Sequence, residues 1–327
     1  MRAATCYRYG DADVLTVREV PRPVPGKGQV LVRVLAASMN DFDWGLVSGR
    51  PVIVRFFNGF LRPRVQIPGC DVAGRVVEVG SDASRYRPGD RVFGDLSSCG
   101  FGAFAEYVCV PETALVPMPE GMSFDQAAAT PQAAVLALQA LLDAAPVADG
   151  QRLLFNGAGG GVGTFGLQLA RQWDVEITCV DRADKLDMLR ALGADHVIDY
   201  RTVDFTRTGE RYDTIVDAKT SRSPFAHTRA LKPGGCYVTV GGYLRRIAQM
   251  LLFRRALGLR DGKRFAMVAL APNRHLAYLC ERFVSGAVTP VLDRVFELEE
   301  TAEALRYFVE SRHRGKVIVR MEGTGRE

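Results

Sequence analysis

The sequence predicts an α/β protein in two parts, one β-rich and barrel-like, the other a doubly wound parallel sheet. Three observations predict it. The first 120 residues are short strand runs cut by glycine and proline. From Arg152 onward, apolar strand runs alternate with helix patterns. The junction of the first such strand and its helix is the run Asn156-Gly157-Ala158-Gly159-Gly160-Gly161-Val162-Gly163. Apolar strands separated by helices specify a parallel sheet covered on both faces.

Taken in order, Val30–Val34 follows a proline-glycine turn and reads as a strand, as does Gly74–Gly80. Arg87-Pro88-Gly89-Asp90 is a turn feeding a strand at Val92, and Gly102–Pro111 alternates as a further strand. Character changes near Met122. Ser123 with Gln126 three residues on marks a helix start, and a second helix is expected from about Ala133 to Asp143. Parallel strands are expected near Leu153, Ile177 and Val197, at Thr214–Asp217 and at Tyr237–Val240. Helices are expected at Val162–Trp173, Ala183–Leu192 and Ser223–Leu231. Arg264–Leu270 reads as an edge strand suited to pairing with a second subunit, which predicts a homodimer. From Pro290 the chain returns to strand patterns, with one helix (Glu299–Ser311) and a last strand (Lys316–Arg320). The boundaries this implies are 1–121 with 285–327 for the β-rich part and 122–284 for the parallel sheet.

The chain has 327 residues, 47% of them hydrophobic and 24% charged, the composition of an ordinary globular protein of about two domains. The net charge is +5, and the positive residues of the first 240 positions are scattered, so no nucleic-acid partner is expected. A denser basic segment holds Arg245, Arg246, Arg254, Arg255, Arg260, Lys263 and Arg264 among Ile247, Met250, Leu251, Leu252 and Phe253. It reads as a solvated face over an apolar lid in preference to a helix lying on a membrane. The N-terminus carries no export signal, and no apolar run approaches a membrane span. Seven widely spaced cysteines without a C-x-x-C pair argue against disulfides and fit a reducing, cytoplasmic setting.

The glycine run carries the chemistry. A strand, a glycine turn and a helix bring bare N–H groups and the positive end of a helix dipole to a pyrophosphate. Side chains at Gly160 or Gly161 would hold phosphates off, and Gly163 lets the helix lie close on its strand. Asp181, ending the next strand about twenty residues on, is placed for an adenosine ribose.

Four segments together resemble the medium-chain dehydrogenase/reductase superfamily, most closely its zinc-independent, quinone-oxidoreductase-like branch. They are Ala36-Ala37-Ser38-Met39-Asn40-Asp41-Phe42-Asp43-Trp44, Pro68-Gly69-Cys70-Asp71-Val72-Ala73-Gly74, the glycine run, and Leu192-Gly193-Ala194-Asp195-His196-Val197-Ile198-Asp199-Tyr200. The resemblance spans essentially the whole chain. It implies a GroES-like β-barrel catalytic domain, a Rossmann domain and a nicotinamide cofactor in the cleft between them. Where zinc-dependent relatives carry Cys, His and Cys ligands, this chain has Asn40, Cys70 and no cysteine near Pro131 and Gln132; no catalytic zinc is expected. The loop Leu96–Phe104 holds only Cys99, so no structural zinc is expected either.

Without a Lewis acid, a conjugated carbonyl is an easier acceptor than an alcohol is a donor. The reading is hydride transfer from NAD(P)H to a quinone or an α,β-unsaturated carbonyl. Asn40 is a candidate partner for the ribose or the substrate oxygen, or a turn residue beside Asp41. Asp43 is more a brace for that turn than a proton donor. Trp44 is either a pocket wall or core. Lys219 and Thr220 follow a strand at the carboxyl end of the sheet, where ligands sit. By resemblance, Tyr200 reaches the adenosine phosphate, Gly241 and Gly242 pass behind the nicotinamide, and Lys316 lies near the cofactor phosphates. Ala158, Gly160, Gly161, Val162 and Gly163 form the pyrophosphate turn. Asp181 favours NADH by local charge, whereas Arg182, Lys185, Tyr200 and the branch's habit tip the choice slightly to NADPH. An NAD-linked alcohol dehydrogenase and a non-catalytic nucleotide-binding or membrane-surface protein remain the alternatives.

Overall fold

A computed structural model describes residues 1–259 and 261–321. The chain forms two compact units, Met1–Val135 with the chain from Ala271 onward, and Leu136–Leu270. These cuts differ from the expected 121 and 284 for a packing reason. The helix Phe124–Ala129 lies against the strands of the first unit, and Asn273 bonds the backbone of Asp95 from both ends of its amide (2.7 and 2.8 Å).

The first unit is built on a seven-stranded sheet. Its long strand Gln29–Ser38 pairs antiparallel with Asp71–Val79, Tyr107–Pro111 and Lys316–Arg320. Asp71–Val79 continues to Arg91–Asp95, and Leu292–Glu297 runs parallel to Lys316–Arg320. One strand serving three partners needs irregular register, and shifts occur at Leu31/Val32 and Val34/Ala36. Val30, Val32, Val34, Val72, Val76, Val92, Val317 and Val319 meet in one buried core. The expected strand Gly102–Pro111 forms only over Tyr107–Pro111; residues 103–105 run beside the N-terminal strand through a single bridge, Ala3 to Ala105. Ser123 caps its helix as expected, its hydroxyl accepting from Gln126 N (3.2 Å).

The second unit is a six-stranded sheet, parallel throughout. Its order across the sheet is His196–Asp199, Glu176–Asp181, Arg152–Asn156, Tyr212–Asp217, Leu231–Thr239, Arg264–Met267. The chain order reverses between Arg152–Asn156 and Tyr212–Asp217, so loops leaving the carboxyl ends of those two strands open a crevice. Leu154, Val180, Ile215, Tyr237 and Phe265 fill the core on one side. The helix Gly161–Ala170 begins inside the glycine run, and Leu244–Leu259 is the basic helix. Arg260 lies outside the described residues. The edge strand is realised as Arg264–Met267. No helix among the described residues is long and apolar enough to cross a membrane.

Candidate active site

The carboxyl end of the parallel sheet gathers most of the residues expected at the cofactor. Gly157 takes φ +80° after the first strand, and its N–H and that of Ala158 both reach Val180 O (2.9 and 3.2 Å), tying the turn to the neighbouring strand. A Cβ on Gly163 would lie 2.4 Å from Ala158 Cα, and one on Gly159 would lie 2.5 Å from Lys185 Cδ. The backbone contact leaves room only for glycine at 163, and a side chain at 159 would have to displace Lys185. Gly160, Gly161 and Val162 stay partly exposed at the helix start, where the backbone N–H groups have no partner within the helix. This is a cradle of the shape and polarity a dinucleotide pyrophosphate requires.

Beside it, Asp181 turns inward. Its Oδ2 accepts from Gly159 N (2.7 Å) and its Oδ1 from Arg182 N (2.8 Å). Arg182 forms a two-pronged pair with Asp184 (3.0 and 2.8 Å). Tyr200 donates its backbone N–H to Asp181 O (3.1 Å) and exposes its ring. Lys185 is a correction to the expected phosphate contact. It is buried under Gly159 with its Nζ 3.9 Å from Asp181 Oδ1, and burial lowers its pKa despite that carboxylate. Its aliphatic stem packs the turn from beneath.

The next loop completes the crevice. Asp217, fully buried, accepts at Oδ1 from Asn156 Nδ2 (2.8 Å), Lys219 N (3.0 Å) and Thr220 N (2.7 Å), and at Oδ2 from the Tyr237 hydroxyl (2.8 Å). It thereby holds Thr220 at φ +41°, a conformation a β-branched residue adopts only under constraint. The Thr220 hydroxyl bonds Thr239 and the carbonyl of Gly241. A Cβ on Gly157 would strike Lys219 Cγ (2.7 Å), and one on Gly242, at φ +122°, would strike Lys219 O (2.2 Å). Gly157, Lys219, Thr220, Gly241 and Gly242 are therefore one cluster. Asp217, Asn156 and Tyr237 were missed as its supports. The signal was present in Asn156, which opens the glycine run, and in Asp217, an acid closing an apolar strand. Against Asp217 lies His227, fully buried, its Nε2 3.4 Å from Oδ2 but too poorly aligned for a hydrogen bond. Burial lowers its pKa to about 4, with the Asp217 charge opposing.

In the first unit, Asn40, Asp43, Lys316 and the missed Asp71 come together beneath the helix Asp41–Ser48. Asp43 braces the turn: its Oδ2 accepts from Asn40 N (2.9 Å) and its Oδ1 from Gly69 N (3.0 Å). Burial pushes its carboxyl up to about 7, against the pull of the Cys70 thiol bond at 3.3 Å. Asp71 accepts from Ser38 Oγ (2.8 Å), Asn40 Nδ2 (2.9 Å) and Gln132 N (3.0 Å). Lys316 is also corrected. Its ammonium is buried, reaching Asn40 Oδ1 (2.6 Å), Met39 O (3.1 Å) and Asp71 Oδ2 (3.5 Å), so its three donors are taken inside this unit. Trp44 packs against the core of the unit.

These donors do not fit a zinc ion. The Asn40 amide is shared between Lys316 and Asp71. The Cys70 thiol donates to Asp43 Oδ1 (3.3 Å), and burial, then the Asp43 charge, raises its pKa well above the ordinary value. No cluster of three His, Cys, Asp or Glu that could hold a metal exists among the described residues.

A dinucleotide cradle at the switch point of a parallel sheet, in a chain with a barrel-like unit, defines a nicotinamide-dependent oxidoreductase. Residues 26–120 match the family model of the alcohol dehydrogenase GroES-like domain, and residues 192–319 that of zinc-binding dehydrogenases. The chain is 30% identical over 331 residues to the chloroplastic quinone-oxidoreductase QR1 of Triphysaria versicolor, covering 98% of each. It is 30% identical over 330 residues to the 2-methylene-furan-3-one reductase of Solanum lycopersicum, covering 98% of this chain and 79% of that one. The quinone oxidoreductase structure from Coxiella burnetii matches with a TM-score of 0.87 at 28% identity, over 98% of this chain and 99% of that one. The chain belongs to the medium-chain dehydrogenase/reductase superfamily, in its quinone-oxidoreductase-like branch. It is an NAD(P)H-dependent oxidoreductase.

Proposed function

We propose that this protein reduces a quinone or an α,β-unsaturated carbonyl at the expense of NADPH, without a metal. The carrying observation is that the polar groups of the Asn40 site are engaged with one another and with Lys316, leaving no ligand triad. When bound, the dihydronicotinamide supplies the hydride. The chain has to hold it against a flat acceptor and keep the geometry fixed. Lys219, Thr220, Gly241 and Gly242 position the nicotinamide end, with Asp217 fixing their loop. Asn40, its amide held by Asp71 and Lys316, fixes the turn that opens the helix Asp41–Ser48.

Preference for NADPH is supported by the inward turn of Asp181. Both of its oxygens accept backbone N–H groups, which blunts its repulsion of a 2′-phosphate, while Arg182 and Tyr200 flank the outer side. The edge strand Arg264–Met267 supports a homodimer, and seven free thiols support a reducing compartment such as the cytoplasm. Stopped-flow loss of nicotinamide absorbance against a panel of quinones, enones and simple aldehydes tests the reading. Turnover confined to the conjugated acceptors is expected; turnover of aldehydes alone, or stoichiometric zinc in the active protein, would replace it with an alcohol dehydrogenase.

A further inference from the structure

The segment that follows the helix Asp41–Ser48 carries a run of large apolar side chains that the core does not bury. Val52, Ile53, Phe56, Phe57, Phe60 and Leu61 are all exposed, Phe57 at 78% and Leu61 at 87%. They are not on a slack loop. Asn58 is buried between them, its Nδ2 donating to Leu46 O (3.3 Å) and its Oδ1 accepting from Val65 N (2.9 Å). The Tyr9 hydroxyl donates to Gly59 O (2.6 Å), and Phe56 meets Phe60 edge to face at 5.9 Å. Polar anchors on one side thus hold large apolar side chains out on the other. Such a contiguous patch on a folded unit marks an interaction site.

Its charge says what kind. Residues 44–70 contain Arg50, Arg55, Arg62 and Arg64 and no aspartate, glutamate or lysine. Arg55 is held by Gly49 O (3.2 Å) and the Tyr9 ring, whereas Arg50, Arg62 and Arg64 are exposed around the patch. A second copy docked on this face through a two-fold axis would set arginines against arginines. Aromatic and aliphatic side chains rimmed by arginine instead match the boundary between headgroups and acyl chains of an anionic bilayer. There rings insert, long cationic stems reach back to the phosphates, and each nearby cation adds to the attraction.

We propose that the face formed by residues 50–64 docks this protein on an anionic lipid surface. The inference goes beyond the proposed reduction and stands whatever the acceptor. The full chain is to be sedimented with vesicles of phosphatidylcholine and of phosphatidylcholine mixed equally with phosphatidylserine. The wild type is expected to pellet with the mixed vesicles and far less with the neutral ones. Phe57→Ser with Leu61→Ser is expected to weaken binding to the mixed vesicles at least about tenfold. Arg62→Glu with Arg64→Glu is expected to weaken it comparably and to erase the difference between compositions. Unchanged melting temperature, and unchanged turnover of a soluble acceptor without vesicles, show that both variants are folded. Wild type left in the supernatant overturns the proposal, as does equal binding by all three proteins. Loss of binding only in Arg254→Glu with Arg255→Glu overturns it in favour of the helix Leu244–Leu259. A fall in mass of the Phe57→Ser variant on size exclusion overturns it in favour of a second copy. Lost turnover with intact vesicle binding overturns it in favour of an acceptor path.

Discussion

Lys316 brings an ammonium to a place that is 3% exposed, and it is tolerated because Asn40, Met39 and Asp71 receive it there. Removing one side of a buried pair leaves the other without compensation, which costs about 3–5 kcal/mol. Lys316→Met is therefore expected to lower stability by that order in denaturant titrations, and Lys316→Met with Asp71→Asn to recover a large part of it. Full additivity of the two changes would show that they do not act on one another. His227 makes a second residue-scale prediction, of pH dependence. Its folded pKa is near 4, below the ordinary 6.5, so in that window the unfolded chain binds a proton that the folded one refuses. Its contribution is complete above pH 6.5 and is lost as pH falls toward 4. His227→Phe keeps a ring beside Tyr237 and Phe205 and is expected to lose on the order of 2–3 kcal/mol less than wild type across that window. Asp43, raised to about 7, trends the other way, gaining stability as pH falls below 7. That trend is common to both proteins and cancels in the comparison. Identical pH profiles would mean that His227 is not buried neutral.

The glycine turn and its helix act as one element. Gly163 lies so close to Ala158 that a methyl group forces the helix Gly161–Ala170 off its strand. Gly163→Ala is expected to cost about 1–3 kcal/mol of stability and to weaken NADPH binding measured by fluorescence titration. An alanine variant with wild-type affinity would show that the helix N-terminus does not set the phosphate position. Arg182→Ala, at the end of the adjoining strand, is expected to cost NADPH about tenfold or more in Kd and NADH little, since only the former carries the 2′-phosphate. The glycine turn and the strands that flank it were legible in the sequence, because glycine spacing and strand-ending acids are local patterns. What was not legible depended on side-chain direction. Nothing local says that Lys185 and Lys316 turn inward, or that Asp71 and Asp217 each gather three or more donors from distant segments. The strand expected from Gly102 failed for a similar reason: Phe101 and Gly102 take positive φ, and a turn there redirects the alternation that the sequence shows.

For the molecule as a whole, the two candidate ligands, dinucleotide and zinc, make opposite predictions. A ligand that binds only the folded chain adds RT ln(1 + [L]/Kd) to its stability, about 2.7 kcal/mol at a concentration one hundred times Kd. NADPH at that excess is expected to raise the melting temperature by several degrees, and NADH at the same concentration by less. The cradle supports this because the chain's own contacts to Val180 and Asp181 tie the glycine turn down, so little of the binding energy goes into ordering it. At the Asn40 site the polar groups are engaged with one another, the Cys70 thiol with Asp43 and the Asn40 amide with Asp71 and Lys316, which supports the metal-free proposal. Dialysis against a strong chelator is therefore expected to leave both melting temperature and turnover with a quinone unchanged, and added zinc to restore nothing. A chelated protein that melts lower, or that regains lost turnover only with zinc, would mean that the Asn40–Cys70 region rearranges around an ion, and the metal-free reading would fall with it.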